Sequence, residues 1–169
     1  MPNQNEFHRV AHRAALFVVL SCAIVMCCAA RTETQAEMRR ETMQITTGTG
    51  EHTFEIEIAE SMEDKSRGLM FRRSLADNAG MLFPYQPAQE ITMWMKNTYM
   101  SLDMVFIRGD GVVHRIAAGT TPFSEEVVAS KGDVSAVLEV RAGIAAKIGL
   151  KPGDRVRHAY FGKSSSLKR

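Results

Sequence analysis

The sequence predicts a mainly β domain: a compact antiparallel sandwich or barrel of about six or seven short strands with two short helices. Two observations carry this. Thr53 to Ala59 alternates strictly, with Phe54, Ile56 and Ile58 on one face and Glu55 and Glu57 on the other, the period-2 pattern of a half-buried strand. Arg108-Gly-Asp-Gly111 separates the apolar runs Met104–Ile107 and Val112–Ala117, and Asp-Gly in such a place marks a tight hairpin. The hairpin chemistry accounts for the Arg-Gly-Asp triplet without a cell-adhesion role.

Length and composition bound the rest. The chain has 169 residues, 45% of them hydrophobic, and a formal net charge of +2. That suits one domain with a buried core plus an appendage. Charges are interspersed, so no basic stripe points to nucleic acid.

The appendage is N-terminal. Arg9 and Arg13 precede an uncharged apolar run from Ala14 to Ala30, which Arg31 ends. This is the pattern of a secretory signal, with residues 1–30 as the signal peptide and a periplasmic or secreted domain behind it. A retained membrane anchor is the alternative, since about 17 apolar residues is the short limit for a span. Cys22, Cys27 and Cys28, all the cysteines of the chain, lie in this run. The domain beyond it has no disulfide, thiol nucleophile or thiolate metal site.

Residues 31–51 are polar, end in Thr-Gly-Thr-Gly, and read as a flexible linker. The single domain spans 52–162. After the first strand, Ser61 with Glu63 and Asp64 starts a short helix that Gly68 closes. Leu69–Phe71 and Met81–Phe83 are short apolar patches joined by a turn-rich connector, and Pro84 and Pro87 end the second. Ile91–Met95 is a strand. Thr120–Phe123 opens a loop to about Asp133. Val134–Val140 is a strand, Gly143–Gly149 a short helical turn, and Arg155–Phe161 the last strand. Residues 163–169 form a polar tail.

The densest chemistry lies in Thr92-Met-Trp-Met-Lys-Asn-Thr98 and Ser101-Leu-Asp103, which include the only tryptophan. Arg67, Arg72, Trp94, Lys96, Asn97 and Asp103 are the candidate ligand-binding residues. Donors at a strand end suit an anionic or polyhydroxy ligand, and an exposed Trp offers a stacking face for a sugar. The competing reading is a capped turn with Trp94 in the core and Asn97 and Thr98 bonding their own backbone.

Asp103, Glu139 and Glu90 stand beside apolar residues, where a carboxylate needs a partner. Arg67, Arg72, Lys96 and Arg141 are the cations available, and bonds to loop amides are the alternative. A carboxylate pair in a cleft would instead serve a hydrolase or lyase. Seven methionines between Met62 and Met104 could bind Cu(I) or simply fill the core. His52, His114 and His158 are scattered, and exposed or half-exposed strand faces are expected for them. The chain holds no phosphate loop, nucleophile elbow or His-Glu-x-x-His. No cofactor is expected, and no partner beyond a small polar ligand or a protein loop.

Several runs carry a resemblance: Arg67-Gly-Leu-Met-Phe-Arg72, Gly80-Met-Leu-Phe83, Trp94-Met-Lys-Asn-Thr98, Leu102-Asp103, Gly111-Val and Val137-Leu-Glu-Val140 with Ala142-Gly143. In this order they resemble the bacterial and archaeal family catalogued as domain of unknown function 192, over roughly residues 52–161. The resemblance implies a small β-rich single domain, often exported, and carries no established activity. Ser101 departs from the family's usual Pro before Leu-Asp, so a looser turn is expected there.

Overall fold

The computed structural model describes residues 38–162. The expected signal peptide, residues 31–37 of the expected linker and residues 163–169 lie outside the described residues.

Seven strands form one curled sheet in the order β5-β4-β6-β3-β2-β1-β7. They are β1 (Arg40–Thr47), β2 (Gly50–Ile58), β3 (Ala79–Met93), β4 (Leu102–Ile107), β5 (Val113–Ala117), β6 (Val128–Arg141) and β7 (Arg155–Arg157). Three short helices accompany them: α1 (Met62–Arg67), α2 (Ile144–Lys147) and α3 (Ala159–Gly162). The fold is mainly β, as the sequence predicts. The sheet is mixed, because β2 and β3 pair in parallel across α1.

The two sheet edges approach each other and give the sheet its half-barrel curl. Val112, in the β4–β5 turn, bridges Arg155 of β7, and Val156 N donates to Gly111 O at 2.8 Å. Gly111 sits at φ 79°, and a Cβ there would lie 2.5 Å from the Val156 carbonyl oxygen. Only glycine meets both conditions.

Alternation along the strands divides the core in two. Phe54, Ile56, Ile58, Leu82, Leu138, Val105 and Val156 pack on one face. Met81, Phe83, Val137, Met104 and Phe106 pack on the other, under Leu69, Met95 and Leu102. Burying a side chain of this size contributes about 1.5–3 kcal/mol, which suits a domain with no cysteine to cross-link it.

Four boundaries differ from the sequence reading, each for a physical reason. Residues 40–51 are not linker. Met43 and Ile45 alternate into the core at 0% and 1% exposure, and β1 pairs along its length with β2. The flanking Thr, Glu and Gln residues mask that alternation. Pro84 and Pro87 do not end a strand. β3 runs through them, and its register against β6 shifts between Pro84 and Gln89, so the bulge absorbs the missing N–H groups. The loop expected up to Asp133 already belongs to β6 from Val128. The last strand stops at Arg157, and residues 159–162 turn into α3. There Tyr160 donates its hydroxyl to the backbone oxygens of Tyr85 and Ser135 at 2.9 and 3.0 Å.

The first helix forms as its sequence dictates. The Ser61 hydroxyl accepts from Asp64 N, the Asp64 carboxylate accepts from Ser61 N, and Gly68 closes the last turn. This capping box fixes where Lys65 and Arg67 emerge.

Candidate functional site

A cavity of about 480 Å³ opens between α1, the middle of β3 and the 94–98 segment. Arg67, Trp94 and Lys96, three of the residues singled out from the sequence, line it together. Trp94 is 48% exposed and so is not core. Lys96 Nζ lies 5.2 Å from the centre of the Trp94 ring, a cation–π distance.

The cavity's deepest titratable group is Glu139. It is 4% exposed and lies on β6 in register with Met81 of β3 and Met104 of β4. Both methionines are fully buried. None of the expected cations reaches it, and its carboxyl has no hydrogen-bond partner among the described residues. Burial pushes its pKa up to about 8, so the group is mostly neutral at pH 7.

Two residues the sequence did not single out, Lys65 and Tyr85, and three of the methionines it did complete the walls. Lys65 of α1 stands over the ring of Tyr85 of β3, 4.7 Å from its centre. Burial lowers the Lys65 pKa, partly offset by Glu60. The Tyr85 phenol is pushed up, first by burial and then by the charge on nearby Glu139. Met62, Met70 and Met93 add thioether wall, and the Tyr85 hydroxyl reaches Met93 Sδ at 3.9 Å. The sequence signal for this wall is thin. Lys65 is one of several charges on a short helix, and Tyr85 hides between two prolines.

The other predicted residues lie elsewhere and are engaged. Arg72 pairs with Glu57 through both terminal nitrogens. Asp103, fully buried, accepts Gly119 N at 2.9 Å and Ala145 N at 3.0 Å. It ties the loop at Gly119 to the first turn of α2, and these two backbone amides rather than an arginine satisfy it. Asn97 takes a left-handed conformation (φ 54°), and its carbonyl accepts Phe71 N at 2.9 Å. Arg141 pairs with Asp77, which also binds Lys147. Glu90 is exposed and needs no partner. Asp103 and Glu139 do not meet in the cavity, so no carboxylate pair forms there.

His52 and His114 are half-buried, but the His158 side chain is only 4% exposed, with Nε2 2.7 Å from Glu41. Among the described residues no cluster of three His, Cys, Asp or Glu side chains could hold a metal ion.

Outside the cavity, Phe71, Tyr99 and Phe123 form an exposed aromatic group. Tyr99 packs edge-on to Phe71 at 6.3 Å and against Phe123 at 5.2 Å. Phe71 and Phe123 both have positive φ, 64° and 61°. The 97–98 turn holds them there by accepting their amides.

Fold and site together define a small β half-barrel with a ligand-sized cavity whose rim is cationic. The family model for DUF192, described as Uncharacterized ACR, COG1430, matches residues 43–158. The chain belongs to this family. Solved structures similar to it include the following two. One, from Sinorhizobium meliloti 1021 and named as a candidate transcription regulator, is 37% identical with a TM-score of 0.71, covering 73% of this chain and 96% of that one. Another, a protein of unknown function from Novosphingobium aromaticivorans DSM 12444, is 36% identical with a TM-score of 0.71, covering 78% and 94%. No curated protein matches the chain.

Proposed function

We propose that the chain is an exported binding module that holds a small polar, saccharide-like ligand in the cavity between α1 and the 94–98 segment. The observation that carries this reading is the meeting of Trp94, Lys96 and Arg67 on one cavity of about 480 Å³. That volume falls in the range of small-molecule sites. Trp94 supplies an apolar stacking face, the cations supply donors, and the methionines give adaptable walls. Concavity favours a small molecule over a protein loop. Export is supported by the positive flank and apolar run of residues 1–31.

The enzyme reading is weaker. A hydrolase or lyase built on paired carboxylates lacks its second member, because Asp103 is bound to two backbone amides. Cu(I) handling is the second reading, since Met62, Met70 and Met93 share the cavity wall. Competition for Cu(I) against a chelator tests it: a chelator that keeps all the metal removes it.

A thermal-shift screen of neutral sugars, sugar acids and polyols tests the leading reading. Wild type is expected to respond to at least one of them, and Trp94→Ala and Lys96→Ala to lose that response. Responses unchanged in both variants place the site elsewhere.

A further inference from the structure

The charge of the cavity narrows the ligand class. Three cations line it: Lys65 and Arg67 from α1, and Lys96. Arg67 has no ion pair among the described residues. Lys96 has only Glu125, 3.8 Å away, with the two side chains 43% and 66% exposed, a contact worth little in water. Lys65 has the Tyr85 face. Glu139 is the only acidic side chain in the lining, and it lies buried between two methionine strands with no partner. A neutral carboxyl offers one O–H donor and one carbonyl acceptor. With no partner among the described residues, both are left to the contents of the cavity that Glu139 lines, and a ligand oxygen can take them up.

Resting on the binding-module reading, we propose that the cavity takes a carboxylate-bearing sugar, a sugar acid, and that it does so with Glu139 protonated. The Glu139 O–H donates to a ligand oxygen. The ligand carboxylate meets the positive field of Lys65, Arg67 and Lys96, and the sugar ring lies against Trp94. An ionised Glu139 would repel the same ligand, so affinity carries the protonation state of this one side chain.

The titratable groups that share the cavity with Glu139 are Lys65 and Arg67 on α1, Tyr85 on β3 and Lys96 beyond it, and of these Tyr85 feels the Glu139 charge. β4 presents uncharged Met104 in register. Tyr85 is held above its ordinary range and stays neutral through pH 9. Lys65, lowered by burial, is the other group whose titration weakens anion binding at alkaline pH. The test must separate it from Glu139.

Calorimetry of the full chain with sodium D-glucuronate, and with D-glucose as the uncharged counterpart, does so. Glucuronate is expected to bind more tightly than glucose at pH 6.5. Its affinity should fall about fivefold between pH 8 and pH 9, following the protonated fraction of a group titrating near pH 8. Binding at pH 8 should take up about half a proton from the buffer. Glu139→Gln keeps a donor at every pH. It should retain glucuronate binding while the fall between pH 8 and pH 9 shrinks below about twofold. Lys96→Met serves as a second variant: it should weaken glucuronate binding by a larger factor than glucose binding. Equal affinity for the two sugars overturns the sugar-acid inference while the binding-module reading stands. A fall with pH that persists undiminished in Glu139→Gln assigns the effect to Lys65 and overturns the role of Glu139. Binding of neither sugar overturns the inference and removes saccharides from the binding-module reading.

Discussion

Arg72 clasps Glu57 with both terminal nitrogens, Nη1 to Oε1 at 2.7 Å and Nη2 to Oε2 at 2.5 Å. The pair joins the connector after α1 to strand β2, and both side chains are partly shielded, at 32% and 16% exposure. Planar two-pronged pairing is the geometry in which an arginine–carboxylate bridge contributes most.

Arg72→Ala should therefore destabilise the domain by about 1–2 kcal/mol at pH 7. Arg72 holds the Glu57 pKa below its ordinary value, mainly through their hydrogen bond. A depressed carboxylate stabilises the fold above its unfolded pKa and loses that contribution as pH falls through the folded value. Urea melts of wild type and Arg72→Ala should thus differ at pH 7 and converge on acidification below pH 4. A gap that stays constant down to pH 2.5 would show that the arginine acts through packing instead.

Glu139 runs the other way. Its folded pKa is raised, to about 8, so the fold carries no electrostatic cost below the unfolded value near 4.5. Between that value and about pH 8 the unfolded chain releases a proton that the folded chain keeps. Stability then declines as pH rises, and levels off above pH 8. Glu139→Gln removes this dependence. It should match wild type near pH 4 and exceed it by roughly 4 kcal/mol at pH 8. Equal pH profiles for the two proteins would mean that Glu139 is solvated or paired in solution.

Asp103→Ala should cost about 1–3 kcal/mol, because the buried Ala145 amide and the more exposed Gly119 amide lose the fully buried carboxylate that accepts them. Trp94→Ala, at a half-exposed ring, should shift stability by less than about 1 kcal/mol. Chemical denaturation of the two variants side by side checks the contrast. A reversed order would mean that Trp94 is architectural and Asp103 is free for ligand.

At Phe123 the backbone is left-handed (φ 61°), a conformation that costs a non-glycine residue about 1–2 kcal/mol. Phe123→Gly and Phe123→Ala lose the same contact with Tyr99, but only glycine relieves the strain. The glycine variant should be more stable than the alanine variant by about 1 kcal/mol. Thermal melts at one pH compare them, and equal midpoints would remove the strain account.

The sequence reports most directly where local chemistry decides the structure. The alternation at Thr53–Ala59, the Ser61 cap, the Gly68 stop and the Arg-Gly-Asp-Gly hairpin all depend on a few adjacent residues, and all form. β1 was legible in principle, because Met43, Ile45 and Thr47 alternate, yet its polar face and the Thr-Gly turn resemble a linker. The passage of β3 through Pro84 and Pro87 was not legible: the bulge that accommodates them is set by pairing with β6, some fifty residues away. The site divides the same way. Trp94 and Lys96 announce themselves by type. The cavity depends on α1 bringing Lys65 and Arg67 across to Tyr85 and Glu139, a long-range arrangement that no spacing encodes. Asp103 and Glu139 look alike in sequence, each a carboxylate among apolar neighbours. The fold gives one of them two amides and leaves the other facing a cavity.

The central claim is that the cavity beside Trp94 is the ligand site. Trp94 is the only tryptophan in the chain, so its fluorescence reports on that cavity alone. Titration of the full chain with D-glucuronate at pH 6.5 should give a saturable change in tryptophan emission whose midpoint matches the calorimetric dissociation constant. Calorimetric binding with no change in Trp94 emission would contradict the claim.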